Sequence, residues 1–297
     1  MTTVAIVGAG DIGGATAQAL ASCDGIHRVW LVDAVADAAA GKAFDLQQAG
    51  AVAGFHTRLD GTGDESRLVG CAVCVIADRF GVRAGEWRSK EWQSEEWRSE
   101  EWQGEEGLSM LTRIAPSLGD APIVFAGASQ VELLGRAAEE TRIRRERLIG
   151  SSPEALASAI TAIVAMEAGC SPREVMVAVL GTPPAGFVVP WSEASIGGYS
   201  MQRVLSQVQL ARIEARAALL WPPGPYTLGA AAARVVDAIL SNSRRSFSVL
   251  TQLEGEFGVR HRVGALPARL AARGIVQTRV PELGTREHVL LQTALGG

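Results

Sequence analysis

Histidine and tyrosine are scarce in this sequence, as is the cysteine that staples small folds. Its 297 residues include four histidines, two tyrosines and four cysteines. So few cysteines exclude a disulfide-built scaffold and suit a reducing compartment. No apolar run reaches the length of a membrane span. The strand-like segment that begins at once carries neither a basic lead nor a cleavage site, so no export signal is expected and the location read from the sequence is cytoplasmic. A net charge of −4 offers no general basic surface for nucleic acid. With 47% apolar and 20% charged residues the chain is neither disordered nor collagen-like, and it is long enough for one large α/β domain or two ordinary ones.

What is present starts at the third residue. Thr3-Val4-Ala5-Ile6-Val7 is a short β-branched run that reads as a buried parallel strand, and Gly8-Ala9-Gly10-Asp11-Ile12-Gly13 follows it directly. From Gly14 to Ala21 the sequence reads as helix. Strand, tight turn and helix are the context in which G-x-G-x-x-G describes a dinucleotide seat. Gly8 permits the turn, Gly10 lets backbone approach a pyrophosphate, Gly13 lets helix and strand pack, and Asp11 and Ile12 bring the helix N-terminus to the ligand. A second strand, Arg28–Val32, ends at Asp33. A carboxylate there accepts from a ribose 2′-hydroxyl and repels a 2′-phosphate, which predicts NAD rather than NADP.

Two local patterns need separate readings. Leu68 to Ala77 reads as a further buried strand, carrying Cys71 and Cys74. Residues three apart on a strand face opposite ways, so this C-x-x-C is read as two small buried hydrophobes, not a redox pair or metal site. Between Gly85 and Gly107 lies a tandem repeat of four pentads over 86–105, with Trp87, Trp92, Trp97 and Trp102 at equivalent places. It holds seven acids and three bases, so its charge equals that of the whole chain. A five-residue period rotates a helical side chain by roughly 140° per step, so the rings cannot form one stripe. A tolerated duplication, a partner or self-association surface, and an aromatic pocket all remain open for it.

Along nearly its whole length the chain resembles the lactate/malate dehydrogenase family. The motifs that carry the likeness are V-A-I-V-G-A-G-D-I-G, L-V-D, G-K-A-F-D-L at Gly41–Leu46, L-V-G-C-A-V-C-V-I-A and Arg147-Leu148-Ile149-Gly150-Ser151. They continue in Ser171–Val175, Val189-Pro190-Trp191-Ser192, Val236–Leu240, Leu253–Gly258 and Leu290-Leu291-Gln292. The resemblance implies an α/β fold: a Rossmann-type doubly wound parallel sheet at 1–149, containing the pentads, then a mixed α+β substrate and oligomerisation domain at 150–297. It also implies NAD(H) as cofactor, a small carboxylate as substrate and a homodimer or tetramer.

The family's reaction centre is where the likeness fails. Hydride transfer to a 2-keto acid needs an acid for the developing alkoxide, a carboxylate to orient that acid and a guanidinium to clamp the substrate. By the resemblance these fall at Pro183, Leu156 and Ala159, none of which can serve, so no catalytic residue is assigned. Ser129-Gln130 stands for the family's Asn-Pro, and Ala77-Asp78-Arg79 for its T-A-G loop. Glu154 is read as half of a capping box with Ser151. None of His27, His56, His261 and His288 aligns near the missing acid. Arg83 and Arg88, where the family has an arginine-bearing lid, are candidate anion contacts or plain solvated arginines. No metal site is read. The sequence thus points to an NAD(H)-binding, catalytically degenerate dehydrogenase. An active oxidoreductase with a rebuilt site, or a non-enzymatic interaction module built on the Trp repeat, are the alternatives.

Overall fold

The computed structural model describes residues 1–81, 99–183 and 186–296. Arg83, Arg88, Trp87, Trp92 and Trp97 lie outside the described residues. The first half runs β1 (Thr3–Val7), α1 (Asp11–Ala21), β2 (Arg28–Val32), α2 (Ala36–Ala53), β3 (Arg58–Thr62), β4 (Val73–Ile76), β5 (Asp78–Arg79), β6 (Glu100–Glu101), α3 (Gly104–Leu118), β7 (Ile123–Phe125), α4 (Val131–Glu140) and β8 (Leu148–Gly150). The second half runs α5 (Ser152–Ala168), β9 (Val175–Met176), β10 (Leu180–Thr182), β11 (Gly186–Val188), β12 (Ser195–Ile196), β13 (Tyr199–Ser200), α6 (Met201–Val204), α7 (Gln207–Ala217), α8 (Pro225–Leu240), β14 (Ser246–Glu254), β15 (Arg260–Ala271), β16 (Gly274–Thr278) and α9 (Thr285–Ala294).

The strands β3-β2-β1-β4-β7-β8 form a parallel sheet in that spatial order, and β14, β15, β10 and β11 continue it antiparallel. The strand order reverses between β1 and β4, and a crevice opens there beyond the carboxyl ends of the strands, the usual ligand position in such sheets. The two faces follow from strand periodicity. Val4 and Ile6 join the apolar cluster of α1 and α8, while Ala5 and Val7 join that of α3 and α4. A third cluster, around α5 and α7, includes Leu156, Ile160, Val179 and Val189. Among the described residues no helix is long and apolar enough to cross a membrane.

Several sequence boundaries are corrected. The strand expected over Leu68–Ala77 is only Val73–Ile76, because a 3₁₀ turn at Glu65–Leu68, capped by Asp64, and the positive φ of Gly70 keep the preceding chain irregular. Cys71 therefore precedes the strand. It lies in the same cluster as Cys74 rather than on the opposite face. Burial pushes its thiol up to about 11 and raises that of Cys74 as well, which leaves both as inert hydrophobes. The helix expected over Ser200–Leu220 is broken at Leu205-Ser206, where Ser206 and Gln209 form a capping box that restarts it. The helix expected from Ala230 begins at Pro225, whose fixed φ suits a first turn.

Helix α8 returns from the second half to lie on α1, and Gly229 permits the approach: a Cβ there would stand 2.6 Å from Ala15 Cβ and 2.7 Å from Thr16 N. Gly229→Ala is expected to force the helices apart and to lower unfolding free energy by about 1–3 kcal/mol in a urea titration. An unchanged midpoint would contradict the tight crossing.

Candidate active site

The glycine turn forms as the motif requires. Gly8 has φ +109°, and its N–H donates to Val32 O at 2.8 Å. A Cβ on Gly13 would collide with Gly8 O, so helix and strand pack as closely as the spacing implies. Ile12 and Gly13 are buried in the first turn of α1, and Asp11 is exposed there. Asp33 is buried at the end of β2. Its Oδ2 accepts from Ala9 N at 2.7 Å and Phe80 N at 2.9 Å, and its Oδ1 from Val35 N at 3.0 Å. Among the described residues Oδ1 thus retains a lone pair for a ribose hydroxyl. The ribose end of the seat fits a dinucleotide.

The pyrophosphate end does not. The N-cap of α1 is Gly10, which has no capping side chain, and the first-turn N–H groups are the anion-binding feature of the motif. Asp78, only 1% exposed, fills that place: Oδ2 accepts from Ile12 N at 3.1 Å and Oδ1 from Gly13 N at 2.9 Å. The space beside Gly10 that would admit a phosphate holds the Asp78 carboxylate, and a Cβ on Gly10 would strike it. Gly10 N donates to Asp78 O at 2.9 Å, and Lys42 Nζ donates to Gly10 O at 2.7 Å. The sequence reading noted Asp78 as a departure in its loop but gave it no role. An acid directly after a buried strand was the available signal.

The end of the pentad repeat closes over the same crevice. Glu100–Glu101 pair antiparallel with Asp78–Arg79. Glu101 accepts from Ala128 N at 3.1 Å and Ser129 N at 2.7 Å, in the loop after β7. Burial pushes the Glu101 carboxyl above its ordinary value and the Asp78 charge pushes the same way, against the pull of those two N–H donors. Arg79 pairs with Glu100 at 2.8 Å and with Glu106, and its guanidinium lies 5.2 Å from the Trp102 ring centroid. Trp102 itself packs against the core cluster of α3 and α4. The hollow above, about 460 Å³, is lined by Arg79 among Glu100, Glu101 and Glu106. It is acidic, and its guanidinium is already engaged by carboxylates.

The positions expected to carry the reaction are apolar. Leu156 is fully buried on α5 among Ile160, Val179 and Val189. Ala159 lies further along the same helix, and Pro183 is buried in the turn after β10. The capping box proposed for Ser151 and Glu154 does not form. The Ser151 hydroxyl donates to Phe125 O, while Glu154 accepts from Ser248 N at 2.9 Å and stands 3.4 Å from Arg234. The packing of α5 on β14 and α8 draws Glu154 inward, away from its own helix end. The four histidines lie on other elements. His27 and His56 line a hollow at the opposite, amino-terminal edge of the sheet, His261 is on β15 and His288 on α9.

These features define a doubly wound nucleotide-binding fold of the dehydrogenase type, with its crevice at the strand-order reversal. Residues 2–91 match the family description "lactate/malate dehydrogenase, NAD binding domain". Malate dehydrogenase from Thioalkalivibrio sulfidiphilus is 30% identical over 284 residues, covering 93% of this chain and 90% of that one. Malate dehydrogenase from Thermomicrobium roseum is 27% identical over 296 residues, covering 97% and 93%. Among solved structures, the Salinibacter ruber malate dehydrogenase superposes with a TM-score of 0.83 at 22% identity, covering 99% and 94%. A lactate dehydrogenase from a Medee basin deep-sea metagenome library superposes with 0.82 at 21% identity, covering 99% and 95%. The chain belongs to the lactate/malate dehydrogenase family, and NAD is the cofactor that this membership indicates.

Burial pushes the Glu154 carboxyl up, against the pull of Arg234, the Ser248 N–H and Arg245. A carboxyl whose folded value exceeds its unfolded one withdraws stability as pH rises through that window. Glu154→Gln keeps an acceptor for Ser248 and removes the charge. Its melting temperature is therefore expected to equal or exceed the parent's near about pH 7.5, with any gain shrinking near about pH 4.5. A loss above about 2 kcal/mol at the higher pH would show that the ion pair with Arg234 dominates.

Proposed function

We propose that this chain is an NAD(H)-binding member of its family that no longer oxidises 2-hydroxy acids. The observation that carries the reading is Leu156, fully buried in an apolar cluster at the place where the family resemblance puts the carboxylate that orients the acid. A charge could not be held there without a partner. Pro183 and Ala159 give neither a proton donor nor a substrate clamp, and Arg79, the guanidinium of the crevice among the described residues, is held by Glu100 and Glu106. Loss of a general acid alone costs about 10²–10⁴-fold in rate. With NADH and oxaloacetate or pyruvate, the protein at high concentration is expected to oxidise no more cofactor than the buffer control. Clear turnover of either compound would overturn the reading.

The similarity to malate dehydrogenases along nearly the whole chain favours a second reading, an active NAD-dependent oxidoreductase with a rebuilt site. The same assay, extended to a panel of hydroxy and keto compounds, separates the two.

We further infer a cytoplasmic homodimer or tetramer in which 1–149 is the nucleotide domain and 150–297 the substrate and oligomerisation domain. The pentads bear on a third reading, an interaction module. Because Glu100 to Glu105 are built into the crevice and the start of α3, the informative deletion is 86–98. Light scattering is expected to give the same oligomer with and without that segment. Dissociation on deletion would favour the interaction module.

A further inference from the structure

We propose that Asp78 is a built-in occupant of the pyrophosphate seat, so that this chain takes up a dinucleotide only when that carboxylate withdraws from the first turn of α1. The inference rests on reading Gly8–Gly13 as a dinucleotide seat. Its ground is the disagreement between that motif and what the seat holds.

A helix N-terminus binds anions because its first N–H groups lack intrahelical partners. Here two of those donors are spent: Ile12 N and Gly13 N both donate to the Asp78 carboxylate. The same carboxylate fills the volume that the missing side chain of Gly10 leaves open. An incoming pyrophosphate must displace two charge-assisted hydrogen bonds and a like charge at once. Because the competitor is part of the chain, its effective concentration is high, and the apparent affinity for the ligand falls by the fraction of molecules in which the seat is open.

The rest of the crevice holds Asp78 in place. Its own carbonyl accepts from Gly10 N, fixing the backbone of β5 against the glycine turn. On the other side β5 pairs with Glu100–Glu101, and Glu101 is anchored on Ala128 N and Ser129 N. A Cβ on Gly127 would collide with the Glu101 carboxylate, so this second acid is seated as closely in the β7 loop as Asp78 is in the glycine turn. Two carboxylates, one from each strand of this antiparallel pair, therefore cap neighbouring loops that a dinucleotide would cross on its way along the sheet edge.

The test compares full-length parent, Asp78→Ala and Asp78→Asn by NADH titration, read as energy transfer from tryptophan to the nicotinamide, and by the melting-temperature shift with inorganic pyrophosphate. The parent is expected to bind NADH weakly and to gain no melting temperature from pyrophosphate. Asp78→Ala is expected to bind NADH about tenfold to a hundredfold more tightly, the value of one or two such hydrogen bonds, and to be stabilised by pyrophosphate. Asp78→Asn, which keeps the shape without the charge, is expected to fall between. Tight NADH binding by the parent, or any rise in the parent's melting temperature with pyrophosphate, would overturn the proposal even if neither variant folds. Tightening without turnover of oxaloacetate or pyruvate leaves the degenerate reading standing. Tightening with turnover supports the occupied seat and overturns the degenerate reading.

Discussion

One buried carboxylate sets the state of the crevice. Asp78 lies where water cannot stabilise its charge, and it is tolerated there because α1 presents two unsatisfied N–H groups and the positive end of its dipole. Each hydrogen bond to a charged acceptor contributes about 1.5–3 kcal/mol, and a dipole in partly buried geometry adds up to about 2 kcal/mol. The helix gains the cap that Gly10 cannot provide. The feature that makes the glycine motif an anion site is therefore used to stabilise the fold.

The same substitution of internal contacts for ligand contacts recurs around the crevice. Asp33 accepts three backbone N–H groups, two of them through one oxygen. Glu101 caps the loop after β7, Arg79 answers Glu100 and Glu106, and Trp102 packs against the core beside them. On the far side, α5 buries Leu156 in an apolar cluster and sends Glu154, the acid of its first turn, inward to Ser248 and Arg234. Around the crevice the chain's own charges answer each other.

What could be read from the sequence was what depends on near neighbours. The strand–turn–helix run from Thr3 to Asp33 has fixed spacing, so the glycines and the acid could be placed before any coordinates. Pro183, Leu156 and Ala159 stood out because each sits at a countable distance from a motif that survives. Contacts between distant segments could not be read. Asp78 meets Ile12 across 66 residues, and Glu154 meets Ser248 across 94. Glu101 was hidden in another way: within a repeat of near-identical pentads nothing marks it from Glu91 or Glu96, and only its pairing with β5 singles it out. The helix break at Leu205-Ser206 was missed because the apolar spacing continues across it, while the cap that makes it is a local hydrogen-bond choice between Ser206 and Gln209.

Amide hydrogen exchange at Ile12 and Gly13 tests the central claim most directly. If Asp78 holds the first turn of α1, both amides are already protected in the free protein, and added NADH leaves their exchange unchanged until the cofactor is in large excess. Rapid exchange in the free protein that becomes slow with NADH would show instead an open seat waiting for its ligand, and would contradict the account.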